Sequence, residues 1–130
     1  MPQIRISDAA RLLGVSDDTV RRWVNSSALT STDDASGRMV IDGRELARFS
    51  RDQARSLPDS GSTTSARNRL VGLVTAVKTD AVMAQVDMQC GPFRVVSLMS
   101  SEAVAELGLE PGSVAVAIVK STNVIVESLE

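Results

Sequence analysis

The sequence predicts a two-domain α+β chain, with a winged helix-turn-helix in front and a small β-barrel of the oligonucleotide/oligosaccharide-binding type behind. Three observations carry this reading. Apolar residues recur at helical spacing before residue 54 and at nearly every second position after residue 64. A polar stretch containing Pro58, Gly61 and a run of Ser and Thr separates the two patterns and is too poor in apolar groups to pack. Ser and Gly residues punctuate the first half as helix starts and stops, and an Asp/Ser/Gly turn lies between two short β-prone runs. The expected organisation is residues 1–54 as one domain, 55–63 as a flexible linker and 64–130 as a second domain.

In the first half, Ser7 reads as an N-cap for "DAARLLG", which Gly14 stops. Ser16 caps a second helix, "DDTVRRWVNSS", whose first turn carries Asp17 and Asp18, where the helix dipole favours negative charge. Val20, Trp23 and Val24 form its apolar stripe, so Arg21 and Arg22 face outward. "ALTSTDDASGRMVI" predicts two short strands around a turn, with Gly37 free to take positive φ. Asp42 caps a last helix that buries Leu46 and Phe49.

In the second half, "RLVGLVTAVKTD" and "AVMAQVDMQC" alternate across a turn near Thr79–Ala81, and "FRVVSLMS" is a third strand. "SEAVAELG" is a short helix ending at Gly108. "VAVAIVK" and "NVIVES" read as the last two strands. Five short strands and one helix are the content of a small barrel of the oligonucleotide/oligosaccharide-binding type.

Composition narrows the function. The single cysteine, Cys90, and the absence of histidine exclude a disulfide within the chain, argue against a zinc site, and remove histidine acid–base catalysis. No enzyme activity and no metal-ion or organic cofactor are expected. There is no long apolar run, and "MPQIRISDAA" lacks the core of a signal peptide, so the expectation is a cytoplasmic protein away from membranes. Three aromatic residues (Trp23, Phe49, Phe93) are too few for a base-stacking single-strand binder. The formal net charge of −2 carries no basic bias, so any nucleic-acid contact requires a local basic face. Residues 1–64 hold nine Arg, no Lys and nine acidic residues.

The order of cap, glycine, cap, arginine pair and wing supplies such a face. A second helix with polar residues at its N-terminal end reaches a major groove. Arg21 and Arg22 are positioned for guanine edges or phosphates, Ser16 and Thr19 for phosphates, and Arg38 at the wing for a minor groove. "ISDAARLLGVSDDTVRRWVNSSAL" with "GRMVIDGRELARF" resembles the MerR/excisionase-type winged helix. That resemblance implies double-stranded DNA binding through the second helix and the wing.

The second half concentrates hydroxyls and cations at strand ends. Ser65, Arg67 and Asn68 precede the first strand, Ser97 and Ser100 end the third, and Lys120, Ser121 and Thr122 follow the fourth. Few acids intervene. A tetrahedral dianion is bound by hydroxyls, backbone N–H groups and one or two fixed cations, which is what these clusters offer. Ser and Thr at strand ends also serve ordinary turns. "SARNRLVGLV", "VVSLMSSEAVAELGLEPGS" and "VAIVKSTNVIV" resemble the Mop domain of molbindins and ModE-type regulators. The resemblance implies a barrel that binds molybdate or tungstate at subunit interfaces, with Ser65, Arg67, Ser97, Ser100, Lys120 and Ser121 as contacts and Asn68 and Thr122 next to them. It also implies a homo-oligomer, a dimer or hexamer through the Mop domains. Together the two halves suggest a molybdate- or tungstate-responsive transcription regulator. The alternative is a cytoplasmic storage or buffering protein for the same anion.

Overall fold

The computed structural model describes residues 2–54 and 64–129. The chain divides into two compact units, Met1–Ser56 and Leu57–Glu130. The linker expected at 55–63 lies outside the described residues.

The first unit runs β1 (Gln3–Arg5), α1 (Ile6–Leu13), α2 (Asp17–Asn25), β2 (Ser31–Asp33), β3 (Met39–Asp42) and α3 (Gly43–Gln53). Its antiparallel sheet has the order β1-β3-β2. Gly14 takes a left-handed φ of 69°, which lets the Val15 N–H turn back to the Ala10 carbonyl at 3.0 Å and ends α1. Ser16 and Asp42 cap α2 and α3, as their side chains foretold. Ile6, Ala9, Ala10, Val20, Leu29, Ile41 and Leu46 form the core, with Trp23 and Phe49 tilted against each other at 4.9 Å between ring centroids.

Two details differ from the sequence reading. Ser7 is not a cap. It lies exposed in the first turn of α1, because Arg5 is the last extended residue and Ile6, only 5% exposed, enters the helix as a core residue. Strand β1 was not foreseen; its three residues hold one apolar side chain, and it exists because β3 offers a ladder from Gln3↔Asp42 to Arg5↔Val40.

The second unit is a curled antiparallel half-barrel. It comprises β4 (Asn68–Thr79), β5 (Met83–Cys90), β6 (Phe93–Ser100), α4 (Ser101–Leu107) and β7 (Val114–Val119), then a short 3-10 turn, Ser121–Asn123. The sheet order is β6-β5-β4-β7. The long β4 changes partner along its length, pairing with β7 from Asn68 to Leu73 and with β5 from Leu73 to Thr79. The register shifts between Val74 and Ala76, and a bulge of this kind bends and twists a strand. Val74, Ala84, Val86, Met88 and Cys90 form the core together with Val104 of α4, which packs against β5 and β6.

The fifth strand, "NVIVES", is absent. Residues 124–129 pair with no strand in the structure, and Ile125, Val126 and Leu129 are 95%, 87% and 95% exposed. The β-branched run Val124-Ile125-Val126 has the composition of a strand, but a strand needs an open edge to pair with, and its own sheet does not take it. The barrel therefore stays open between its edge strands, β6 and β7.

At Gly72, where β5 runs close over β4, an added Cβ would lie 2.4 Å from the Gln89 carbonyl oxygen and 2.6 Å from the Cys90 sulfur. Gly72→Ala is expected to destabilise the chain by about 1–3 kcal/mol through forced backbone movement. Denaturant unfolding measures this, and a variant as stable as the parent contradicts the close approach.

Candidate anion and nucleic-acid sites

The β4–β7 ladder begins at Asn68↔Val119. This register places Ser65 and Arg67, just before β4, at the same end of the sheet as Lys120 and Ser121, just after β7. Asn68 ties the two segments together, its Nδ2 donating to the Val119 carbonyl at 2.9 Å. Arg67 is held from behind, its Nη1 donating to the Thr64 carbonyl at 3.2 Å. Ser65, Arg67, Lys120, Ser121 and Thr122 are all exposed. Residues 53 positions apart in sequence, Arg67 and Lys120, thus become a two-cation rim flanked by hydroxyls.

The structure does not bring Ser97 and Ser100 to that rim. β6 lies at the other edge of the sheet, with Ser97 opposite Val86 and Ser100 opposite Met83. The Ser100 hydroxyl accepts the Ala103 N–H at 3.1 Å and caps α4. Ser97 faces the groove that separates β6 from β7, a space of about 470 Å³. Its walls are mostly apolar (Val86, Met88, Val95, Met99, Ala117), and neither Arg67 nor Lys120 lines it.

In the first unit, α2 organises its polar residues into two rows. Ser16 Oγ accepts the Thr19 N–H at 3.2 Å and lies 3.0 Å from Thr19 Oγ1, which in turn accepts from Arg22 Nη2 at 3.2 Å. Arg21 lies on another side of the helix, where it lines a groove with Arg38 of the wing. All five expected DNA-contact residues therefore sit on α2 or beside it. Arg5 and Ser7 line the same groove and were not foreseen, since nothing in three residues of "QIR" signals a strand reaching the wing.

The wing is tied by Asp34. Its Oδ1 accepts the Arg38 N–H at 2.9 Å and the Ser36 N–H at 2.8 Å, and Asp34 N–H donates to the Arg38 carbonyl at 2.8 Å. Among the described residues no group of three or more His, Cys, Asp and Glu side chains is arranged to hold a metal ion, and no helix is long and apolar enough to cross a membrane.

Residues 64–126 match the TOBE domain family, and residues 4–54 match a helix-turn-helix domain family. Over 63 residues, which are 48% of this chain and 93% of the relative, the sequence is 40% identical to molybdenum-pterin-binding protein 3 of Clostridium pasteurianum. The chain belongs to the TOBE-domain family. Its TOBE domain is of the Mop type, and it is also 44% identical over 63 residues, 48% of this chain and 91% of the relative, to a probable molybdenum-pterin-binding protein of Haemophilus influenzae. A molybdate-binding protein from Sporomusa ovata has a solved structure 31% identical to this one, covering 52% of this chain and all of its own, with a TM-score of 0.50. What the TOBE domain shares with that structure is the curled antiparallel sheet.

The bonds at the wing make it acid-sensitive. The Arg38 N–H, chiefly, holds the Asp34 carboxyl below its ordinary value of 3.8, helped by the Ser36 N–H and the charges of Arg5 and Arg38. A carboxyl depressed in the folded state stabilises it above the unfolded value and loses that contribution as pH falls through the folded value. Exchange protection of the Ser36 and Arg38 amides is expected to persist at neutral pH and to fall once pH drops below about 3.8. Asp34→Ala should remove it at every pH. Amide exchange by NMR reads both, and protection in the variant equal to the parent's contradicts the tie.

Proposed function

We propose that the protein is a molybdate- or tungstate-responsive transcription regulator, with a DNA-binding unit at 1–54, a linker at 55–63 and an oxyanion-binding unit at 64–130. The observation that carries this reading is the Asn68↔Val119 register, which joins two hydroxyl-and-cation segments into one exposed rim. Two guanidinium or ammonium charges beside hydroxyls suit a tetrahedral dianion. The names of the relatives, which bind molybdate or a molybdenum–pterin, supply the metal oxyanion.

Each anion binds between copies of the chain. Arg67, Lys120, Ser65 and Ser121 come from one copy, and Ser97 and Ser100 from another, a reading supported by β6 and β7 being the two opposite edge strands of the sheet. The surface supports such an assembly. Val71, Leu73, Val114, Val116 and Ile118 are exposed on one face of β4 and β7, and the apolar tail at 124–129 is uncovered. Exposed apolar area on this scale marks an interface, and a second copy of the same curled sheet is its natural complement. Dimers or hexamers follow. Anion binding stabilises the assembled state by RT ln(1 + [L]/Kd) per site and so resets the spacing of the helix-turn-helix units on double-stranded DNA. The protein then works in the cytoplasm, as a binding protein and not as a catalyst.

Titration calorimetry with molybdate, tungstate and sulfate tests the anion site. Arg67→Ala and Lys120→Ala are each expected to weaken molybdate binding by at least about tenfold, since a hydrogen bond to a charged group contributes ~1.5–3 kcal/mol. Unchanged affinity in both variants contradicts the rim. Fluorescence anisotropy on duplex DNA selected from a random pool tests regulation. The expected result is an affinity that shifts with saturating molybdate. Equal affinity with and without the anion contradicts regulation, and anion binding with no DNA binding at all favours storage.

A further inference from the structure

The groove between the start of α2 and the wing has a volume of about 370 Å³. Its polar lining is Arg5 from β1, Ser7 from α1, Asp17 and Arg21 from α2, and Arg38 from the wing. Each of these side chains is exposed. Four elements therefore converge on one concavity, and three of the five polar residues are arginines. The local balance is positive even with Asp17 in the groove and Asp34 near enough for its charge to feel both Arg5 and Arg38. Among the described residues, the guanidinium groups of Arg5 and Arg21 make no ion pair, whereas Arg22 is bonded to Thr19.

The position of this groove gives it a role. When a helix enters a major groove and the adjoining wing reaches the neighbouring minor groove, the sugar-phosphate strand dividing the two grooves must pass between helix and wing. On this fold that path crosses the Arg5–Arg21–Arg38 groove. Phosphates are met by arginine forks and hydroxyls, and such contacts set register and orientation without reading sequence. We infer that Arg5, Arg21 and Arg38 form a seat for one backbone phosphate of duplex DNA, with Ser7 as a hydroxyl donor. Arg5 is thereby a DNA-contacting residue contributed by β1. The inference rests on the DNA-binding reading above and divides labour within it. The row Ser16–Thr19–Arg22, pre-ordered by its own hydrogen bonds, faces the bases, and Arg21 belongs to the backbone.

The test is binding of the full chain to a random-sequence duplex and to a selected duplex over a series of NaCl concentrations, by fluorescence anisotropy. Arg5→Gln is expected to weaken both duplexes by the same several-fold factor and to lower the slope of log K against log salt by about 0.9, the signature of one lost phosphate contact. Arg5→Lys should recover most of the slope, and Arg38→Gln should repeat the Arg5→Gln result. Arg22→Gln should reduce discrimination between the two duplexes. Thermal unfolding of Arg5→Gln at the parent temperature establishes that the loss is local. If the parent binds duplex DNA and both Arg5→Gln and Arg38→Gln keep its affinity and salt slope, the seat is wrong and the DNA-binding reading stands. If Arg5→Gln loses only discrimination, Arg5 reads bases and the seat is also wrong. If the parent binds neither duplex, the DNA-binding reading fails and the seat with it.

Discussion

The pairing of β4 with β7 is the constraint on which the TOBE domain depends. From Asn68↔Val119 to Leu73↔Val114, this ladder fastens the first strand of the domain to the last. It is anchored at its far end by the Val74 N–H on the Ser113 carbonyl and by the Gly112 N–H on the Val74 carbonyl, both at 2.9 Å. Because β4 gives its first half to β7 and its second half to β5, the sheet must curl. Curling exposes two separated edges. The ladder thus brings the segments that carry Arg67 and Lys120 to one end of the sheet, and among the described residues the outer edges of β6 and β7 stay unpaired.

The helix-turn-helix obeys a different economy. Its core is small, and much of its order comes from side chains bonding to backbone: Ser16 and Asp42 at helix starts, Asp34 across the wing, and Glu45 accepting the Thr30 N–H at 2.9 Å. These bonds place acids close to a face proposed to meet DNA. Asp34 is consumed by the wing it shapes, so its charge sits against backbone N–H donors. Asp17 and Asp18 lie in the first turn of α2, where they balance the helix dipole. The net charge of the unit is therefore a poor guide, and the disposition of Arg5, Arg21 and Arg38 is the informative feature.

Much of this was legible in the sequence because it is local. Gly14, Ser16, Gly37, Asp42 and Gly108 each announce a turn or cap through their own backbone preferences, and from Ala84 to Cys90 the pattern of β5 is written in alternation. What escaped detection depends on distant partners. β1 exists only because β3 pairs with it. Ser7 looked like a cap until Ile6 was drawn into the core. The tail at 124–129 has the β-branched composition of a strand but pairs with no described strand of its own chain, and composition alone cannot say where a partner is. The anion-site residues divide in the same way. Hydroxyls and cations at strand ends can be picked out by type, but only the register shows that the segments carrying Arg67 and Lys120 lie at one end of the sheet while Ser97 and Ser100 belong to another edge strand.

The proposed anion site is shared between copies of the chain. Native mass measurement of the full chain with limiting molybdate tests it most directly, because it counts chains and anions in the same particle. With a shared site, bound anion appears only on species of two or more chains, and their share grows with molybdate. A single chain carrying molybdate would contradict it.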